Sequence, residues 1–411
     1  MTSLKLCLPD TITPAQFLAD YWQKKPLLIK QGLPKLIGMF EPEDILGLAL
    51  DEEALARLLV NDPSPADKDA PQWTMKKSPL TEDDLAPLLE QSGSRQNHTD
   101  DELASNWTVL VQNLEQWSPE LGQLWQSFDF IPQWQRDDIM VSYAPAGGSV
   151  GRHYDDYDVF LAQGFGSRRW QLGQYCDETT TFVANEPIRI FDDMGEIIFD
   201  EVLEAGDVLY VPPKLAHYGV AVDDCLTFSF GFRRPNLMQI MDSLADVATS
   251  EQSLFVPMLL EQTLQSSGEL QADSIAQIKA QLIEMLASER GDELIRQSVS
   301  EVVSKRQYDL LIPEETVEDY ELVEALATDA VLKIDYSSRL IYTQDANGEP
   351  IIYANGQRLE DISLIEAQLL KHLADGGTIT KEHLSTDDYE VDPATVMQWL
   401  ENGWVWLDDS E

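Results

Sequence analysis

The sequence predicts an α+β chain of several domains, in which helices flank a central antiparallel β core. The chain has 411 residues, more than one domain usually holds, and its 43% of hydrophobic residues suffices for sizeable cores. Residues 137–234 contain short runs rich in β-branched and aromatic residues, separated by turn residues and uninterrupted by a helical pattern. Such a region is expected to fold as an antiparallel barrel or sandwich.

The segment before the β core is predicted to be mainly helical. Residues 14–25 show an amphipathic helical pattern, and an extended stretch, PLLIK, follows them. A second helical region covers residues 42–60, where Leu46, Leu50 and Ala54 stand at helical spacing. We therefore assign residues 1–234 to one domain, made of the β core and these N-terminal helices.

Residues 235–307 are predicted to form a separate helical region. Leu237, Met241, Leu244 and Val247 fall on one face of its first helix. An apolar face of this kind packs either against a partner chain or back on the chain's own β core. The first alternative makes the region a dimerisation surface, and the sequence leaves both open.

The last predicted domain covers residues 313–411. Two strands, AVLKID and SRLIYT, precede two helical stretches that each end at glycine, and WVWLDD forms a closing strand. This order of helix, helix and strand predicts a winged-helix domain. From residue 313 to the end, Lys and Arg total five and Asp and Glu total 23, so we expect this domain to bind proteins rather than DNA.

The charge of the whole chain excludes some functions without choosing one. Lys and Arg number 28 against 73 Asp and Glu, a formal net charge of −45. Such a field repels nucleic acid and anionic membranes and favours basic partners, although adaptation to a salty or cold environment also gives acidic surfaces. Three cysteines without zinc-type spacing, no signal-peptide pattern and no apolar run of about 20 residues indicate a cytoplasmic protein.

Two short motifs within the β core predict a metal site. In GRHYDD, His153 and Asp155 stand two positions apart, so both side chains point to the same face of an extended segment. In EAGDVLYVPPKLAHYG, a turn at Gly206 precedes a strand that ends at Pro212, and His217 is expected in the next turn. This second spacing resembles the second metal-binding motif of cupins. Two histidines and one carboxylate form the facial triad typical of non-haem Fe(II) oxygenases.

A facial triad leaves coordination positions open for dioxygen and for a bidentate 2-oxo acid, whose distal carboxylate then needs a cation. SRRW supplies Arg168 and Arg169 on a predicted strand, where adjacent side chains point to opposite faces. On the strand DDIMVSYAP, Ser142 lies on the face opposite to Val141 and Tyr143. Its hydroxyl can assist in binding the same carboxylate.

The segments HYDDYDVFLAQGFGSRRWQLG, GDVLYVPPKLAHYG and FSFGFRRPN resemble the JmjC-type, cupin-4 ribosomal oxygenases, and the similarity covers nearly the whole chain. The resemblance implies a double-stranded β-helix (the cupin or JmjC jelly roll), a helical dimerisation region and a C-terminal winged-helix domain. It also implies that His153, Asp155 and His217 are the catalytic residues that hold Fe(II), and that Ser142 and Arg168 contact 2-oxoglutarate.

The same resemblance implies a function. Bacterial members of this kind use Fe(II), 2-oxoglutarate and dioxygen to hydroxylate an arginine of a large-subunit ribosomal protein, and a basic substrate suits a chain of charge −45. Asp156, Tyr157 and Asp158 are candidates for holding the arginine side chain. Two alternatives stay open, namely histidine hydroxylation of a ribosomal protein and a metal-binding ribosome-assembly factor without turnover.

Overall fold

The computed structural model describes residues 4–62, 70–95, 106–261, 268–306, 330–385 and 391–408, together with Tyr308 and Leu322. The chain divides into two compact units, Met1–Arg233 and Arg234–Glu411. No helix in the described ranges has the length and apolar character needed to span a membrane. The division into three domains stays a prediction, and most of the boundary placed between residues 307 and 313 lies outside the described residues.

The first unit is built on two antiparallel sheets. Its strands, in chain order, are β1 (Leu27–Ile29), β2 (Ala56–Asn61), β3 (Trp73–Lys77), β4 (Trp107–Val111), β5 (Arg136–Ala144), β6 (Asp158–Phe165), β7 (Ser167–Tyr175), β8 (Phe199–Glu204), β9 (Val208–Val211), β10 (Leu215–Ala221) and β11 (Cys225–Phe232). The large sheet has the order β1-β9-β6-β11-β5-β4-β2-β3, and the small sheet has the order β10-β7-β8. Every pairing described between these strands is antiparallel, as predicted for the core.

The two sheets face each other, and the large sheet is covered on both faces. Because side chains alternate along β6, Phe160 points outward to an aromatic cluster with Phe17 and Phe128, whereas Val159 and Leu161 point inward to the small sheet. We call the sides that face each other the inner faces. This arrangement confirms the predicted jelly roll.

The helices of the N-terminal region differ in part from those predicted. The helices of the first unit are α1 (Pro14–Asp20), α2 (Pro42–Leu48), α3 (Glu82–Arg95) and α4 (Pro119–Gln123). The helix predicted over residues 42–60 ends at Leu48, and residues 56–61 form β2 instead. β2 pairs with β3 on one side and β4 on the other, so sheet hydrogen bonds with distant segments override the local helical spacing.

In its described residues, the second unit begins with helices and continues into a small α/β domain. The helices are α5 (Leu237–Ala248), α6 (Ala272–Leu286) and α7 (Glu289–Ser304), and both α5 and α6 pack against α7. The C-terminal elements are β12 (Val331–Ile334), β13 (Leu340–Gln344), β14 (Pro350–Ala354), β15 (Gln357–Arg358), α8 (Leu364–Ala374), α9 (Lys381–Leu384), α10 (Pro393–Glu401) and β16 (Val405–Asp408). β16 pairs with β12 after the helices, which agrees with the predicted winged helix.

Candidate metal centre

The two histidines of the predicted metal site are joined through their main chains. The His153 N–H donates to the His217 carbonyl at 3.1 Å, and the His217 N–H donates to the His153 carbonyl at 2.8 Å. His217 lies on β10 and not in a turn as predicted, because the turn after Pro212 is tight, with Lys214 at a φ of 64°, and the chain re-enters the sheet at Leu215. His153 lies between β5 and β6, where it makes an isolated β-bridge rather than belonging to a strand.

Asp155 completes a cluster of three potential ligands. Its carbonyl accepts a hydrogen bond from the Lys214 N–H at 2.7 Å, which ties the loop to the turn before β10. One ligand atom from each of His153, Asp155 and His217 lies within 4.8 Å of the others, and Asp155 Oδ2 is 3.6 Å from His217 Nε2. The predicted side chains therefore converge at distances that suit a metal ion.

The hydrogen bonds of the two imidazoles fix which nitrogen faces the cluster. His153 Nδ1 lies 3.1 Å from the Gly151 carbonyl, and His217 Nδ1 lies 2.9 Å from the Leu215 carbonyl. A carbonyl only accepts, so each Nδ1 carries the proton and each Nε2 keeps its lone pair for a metal. Two neutral imidazoles and one carboxylate are a donor set that fits Fe(II).

The burial of His217 also favours metal binding. Desolvation by burial, followed by the nearby His153, lowers the pKa of His217 to about 4, and Asp155 opposes this effect only in part. The imidazole is therefore neutral near pH 7, and a metal ion does not have to displace a proton from it.

Arg168 lies on the inner face of β7 with its charge buried. Its side chain is 2% exposed, and its Nη1 donates to Ser142 Oγ at 3.3 Å. The Ser142 hydroxyl in turn donates to the Thr227 carbonyl at 3.4 Å. Arg168 Nε and Nη2 have no hydrogen-bond partner among the described residues. A buried guanidinium with two unmet donors fits the distal carboxylate of a dicarboxylic 2-oxo acid.

Arg169 points to the other face of the same strand. Its side chain is 56% exposed, and its Nε and Nη2 each lie 2.6 Å from one carboxylate oxygen of Asp200 on β8. The arginine that the sequence placed on the far face is thus satisfied within the surface of the small sheet.

Between the metal cluster and Arg168 lies a residue that the sequence analysis missed. In the pairing of β10 with β7, His217 stands opposite Leu172, Gly219 opposite Trp170, and Ala221 opposite Arg168. Trp170 therefore occupies the level between the two ends of the site, and its indole Nε1 is buried without a partner among the described residues. The sequence could have predicted that Trp170 faces the site, because it lies two residues after Arg168 and such residues share one face of a strand.

The three candidates for substrate binding have different surroundings. Asp158 is buried, and its carboxylate accepts from the Tyr210 hydroxyl at 2.6 Å, so it is engaged within the fold. The Tyr157 ring lies 4.6 Å from the guanidinium carbon of Arg233, and burial raises the Tyr157 pKa. Asp156 is exposed and makes no hydrogen bond or ion pair with another described residue. Of the two aspartates, only Asp156 has an available carboxylate.

Comparison with family models gives two matches. Residues 123–240 match the model of the JmjC domain, and residues 275–405 match the model of the ROXA-like winged helix. The first match contains both histidines and the aspartate of the metal cluster as well as Ser142 and Arg168.

Known proteins similar to this chain are ribosomal oxygenases. A protein of Haemophilus influenzae named probable ribosomal oxygenase is 47% identical over 428 aligned residues, which cover 99% of each chain. The Escherichia coli ribosomal protein uL16 3-hydroxylase is 29% identical and matches 85% of this chain and 86% of its own. The solved structure of YcfD, a ribosomal oxygenase from Escherichia coli in complex with cobalt and 2-oxoglutarate, matches with a TM-score of 0.75 at 26% identity, covering 97% of this chain and 98% of its own.

Proposed function

This chain belongs to the family of JmjC ribosomal oxygenases and is a dioxygenase dependent on Fe(II) and 2-oxoglutarate, and we propose that it hydroxylates an arginine of a large-subunit ribosomal protein. The Escherichia coli relative named uL16 3-hydroxylase supports a large-subunit protein as the substrate. The observation that carries the choice of arginine is the exposed carboxylate of Asp156, which directly follows the metal-cluster residue Asp155.

In this proposal, the ligands of Fe(II) are Nε2 of His153, Nε2 of His217 and a carboxylate oxygen of Asp155. The chemistry that Fe(II) and 2-oxoglutarate supply is the activation of dioxygen for hydroxylation of a C–H bond, with succinate and carbon dioxide as coproducts. The protein's own contribution is to orient the two imidazoles through the Gly151 and Leu215 carbonyls.

In the proposed site Arg168 holds the distal carboxylate of 2-oxoglutarate, and Ser142 supports Arg168, contacting the carboxylate itself only if its O–H turns away from the Thr227 carbonyl. Because the guanidinium is buried, its attraction to a carboxylate is screened by little water and is stronger than at the surface. The Ser142 hydroxyl, which donates to Thr227, presents its oxygen to Arg168 Nη1 and fixes the direction of the remaining donors.

Asp156 is the group that we propose to pair with the guanidinium of the substrate arginine. A carboxylate and a guanidinium form two parallel hydrogen bonds, a geometry that neither lysine nor a neutral histidine reproduces. The net charge of −45 adds a long-range attraction for a basic ribosomal protein. A cytoplasmic location belongs to the same proposal.

The test is the mass of ribosomal proteins from cells with and without this gene. We expect one large-subunit ribosomal protein to be one oxygen atom lighter in the deletion strain, with the oxygen mapped to an arginine in wild-type cells. The wild-type gene should restore the oxygen, and an Asp155→Ala form should not. An oxygen on a histidine would support the histidine alternative, and unchanged masses would contradict the ribosomal substrate.

A matched pair of variants tests the role of Asp156. Asp156→Asn should raise the KM for an arginine peptide substrate by about tenfold, because it removes a charge-assisted pair, while 2-oxoglutarate affinity stays unchanged. Asp20→Asn makes the same charge change at an exposed position on α1 and should leave KM unaltered. Equal KM values for both variants would contradict this role.

We also propose that the exposed apolar side chains of residues 237–261 and 268–283, within the helical region predicted over residues 235–307, form a homodimer interface. Apolar side chains on α5, α6 and the segment between them remain exposed in the single chain, with Phe255 at 71% and Leu259 at 89%. The exposed set further contains Leu237, Met238, Met241, Val256, Ile275, Leu282 and Ile283. So many uncovered apolar side chains in the described part of one region are typical of a protein–protein interface.

A further inference from the structure

Three buried hydrogen-bond donors lie together on the inner face of β7 without an acceptor. They are Nε and Nη2 of Arg168 and Nε1 of Trp170, and none has a partner among the described residues. The two side chains are 2% and 3% exposed. Burying a donor without an acceptor destabilises a folded protein, so an unmet buried donor in a native structure needs an explanation, such as a ligand that supplies the acceptor.

The two side chains that carry these donors are neighbours on one face of β7. Arg168 and Trp170 are two residues apart on β7, and the guanidinium carbon lies 5.8 Å from the centre of the Trp170 ring. On its other side, the same ring lies in the neighbourhood of the metal cluster, 6.0 Å from the centre of the His217 ring. Trp170 thus borders both the metal end and the Arg168 end of the site.

The orientation of the indole is fixed by a close contact with β10. A Cβ atom built on Gly219 would lie 2.7–2.9 Å from Cη2, Cζ3 and Cζ2 of Trp170. Only glycine leaves room for the ring at this position, so the six-membered edge of the indole rests on the β10 backbone. A ring held in this way presents its N–H in one direction before a ligand arrives, which is the preorganisation that a binding donor needs.

We propose that the indole N–H of Trp170 is a second anchor for 2-oxoglutarate, donating a hydrogen bond to the distal carboxylate that Arg168 binds. The inference rests on the proposed role of Arg168. A carboxylate has about four lone-pair positions, so one group satisfies all three donors at once. The site then prefers dicarboxylic 2-oxo acids to 2-oxo acids with an apolar tail, which would leave the three donors unmet.

The substitution Trp170→Phe tests this anchor because it keeps an aromatic ring and removes the N–H. Binding is measured by calorimetry without oxygen and with Mn²⁺ in place of iron, so that turnover plays no part. We expect the dissociation constant of 2-oxoglutarate to rise about tenfold. The constant for 2-oxopentanoate, which has the same 2-oxo acid group and no distal carboxylate, should stay unchanged.

Thermal unfolding with and without 2-oxoglutarate separates a binding donor from a structural one. Trp170→Phe removes buried ring volume, so the ligand-free variant should lose some stability. If its N–H binds the ligand, the stabilisation gained on adding 2-oxoglutarate should also shrink. Trp107→Phe is the control, since Trp107 Nε1 donates to Ser92 Oγ at 3.0 Å. It should lower the melting temperature and leave 2-oxoglutarate affinity unchanged.

The outcomes distinguish this inference from the proposed site on which it rests. Unchanged 2-oxoglutarate affinity in Trp170→Phe, together with weakened binding in Arg168→Ala, would overturn the anchor and leave Arg168 in place. Equal weakening of both 2-oxo acids in Trp170→Phe, or an undiminished stabilisation of this variant by 2-oxoglutarate, would also overturn it. Arg168→Ala without effect on 2-oxoglutarate binding would instead overturn the proposed cosubstrate site.

Discussion

The inner face of the β domain and the exposed apolar side chains of residues 237–261 and 268–283, which we call the helical surface, each leave groups unsatisfied, in opposite ways. On the inner face, polar donors of Arg168 and Trp170 are buried and lack acceptors among the residues that the structure describes. On the helical surface, large side chains such as Phe255 and Leu259 are exposed and lack cover. The first kind of deficit is relieved by a small anion, and the second by another protein surface. Each region therefore indicates the class of its partner by what it leaves unsatisfied.

The largest effect should come from removing a metal ligand on the inner face. We expect His217→Ala or His153→Ala to abolish iron binding and the release of succinate from 2-oxoglutarate, because two ligands alone do not form a facial triad. Metal content and succinate release are the measurements. His372→Ala, in α8, serves as the control and should retain both. Undiminished turnover in either site variant would show that the inner face is not where the metal binds.

The two arginines of β7 test whether only the buried one binds 2-oxoglutarate. Arg168→Ala removes a buried charge-assisted contact and should raise the dissociation constant of 2-oxoglutarate about ten- to a hundredfold. Arg169→Ala breaks an exposed ion pair with Asp200, whose contribution to stability is about 0–1 kcal/mol, and should leave the constant nearly unchanged. Calorimetric titration of both variants with 2-oxoglutarate measures the two dissociation constants. Equal increases would contradict the assignment of Arg168 and Arg169 to opposite faces of β7.

A charge placed on the helical surface tests the other side of the comparison. We expect the wild-type protein to be a dimer by light scattering and Leu259→Glu to raise the dimer dissociation constant at least about tenfold, since it buries an unpaired charge in the interface. Leu364→Glu, at an exposed apolar position of α8, is the control and should stay dimeric. A wild-type protein that is monomeric at micromolar concentration would contradict the proposed dimer interface.

The smallest expected effect is on the pH dependence of stability. The pKa of His217 is lowered from 6.5 to about 4 by burial and by His153. As pH falls through this range, the unfolded chain gains a proton that the folded chain does not, so stability decreases with falling pH. In metal-free protein, urea unfolding midpoints should drop more between neutral pH and about pH 5 for the wild type than for His217→Gln. Parallel curves would contradict this assignment of the shift.

The sequence is informative where one face of a strand is apolar and buried. On β5, Val141 and Tyr143 point outward into the core, which leaves Ser142 on the inner face, as the alternation predicted. The same rule separates Arg168 from Arg169. Period-two patterns therefore predict which side chains face the site, because burial of the opposite face allows a single register.

Other features depend on contacts that no local pattern contains. Residues 56–61 show helical spacing, yet they form β2 because β4, some fifty residues later in the chain, supplies the backbone partners. His217 lies on β10 rather than in a turn for the same reason, since its partner strand is β7. The unmet donor of Trp170 is equally invisible in the sequence. Its face follows from spacing, but the lack of an acceptor depends on side chains from several strands.

The reciprocal main-chain hydrogen bonds between His153 and His217 have a consequence for how the protein loses and rebinds its metal. They join the loop before β6 to β10 through the backbone and do not involve the ion. Two of the three ligand positions are therefore held in place independently of the metal. The conformational entropy of assembling the site is lost during folding and not during metal uptake. We therefore expect the metal-free protein to rebind iron without refolding. The supply of iron then sets the fraction of molecules that are active.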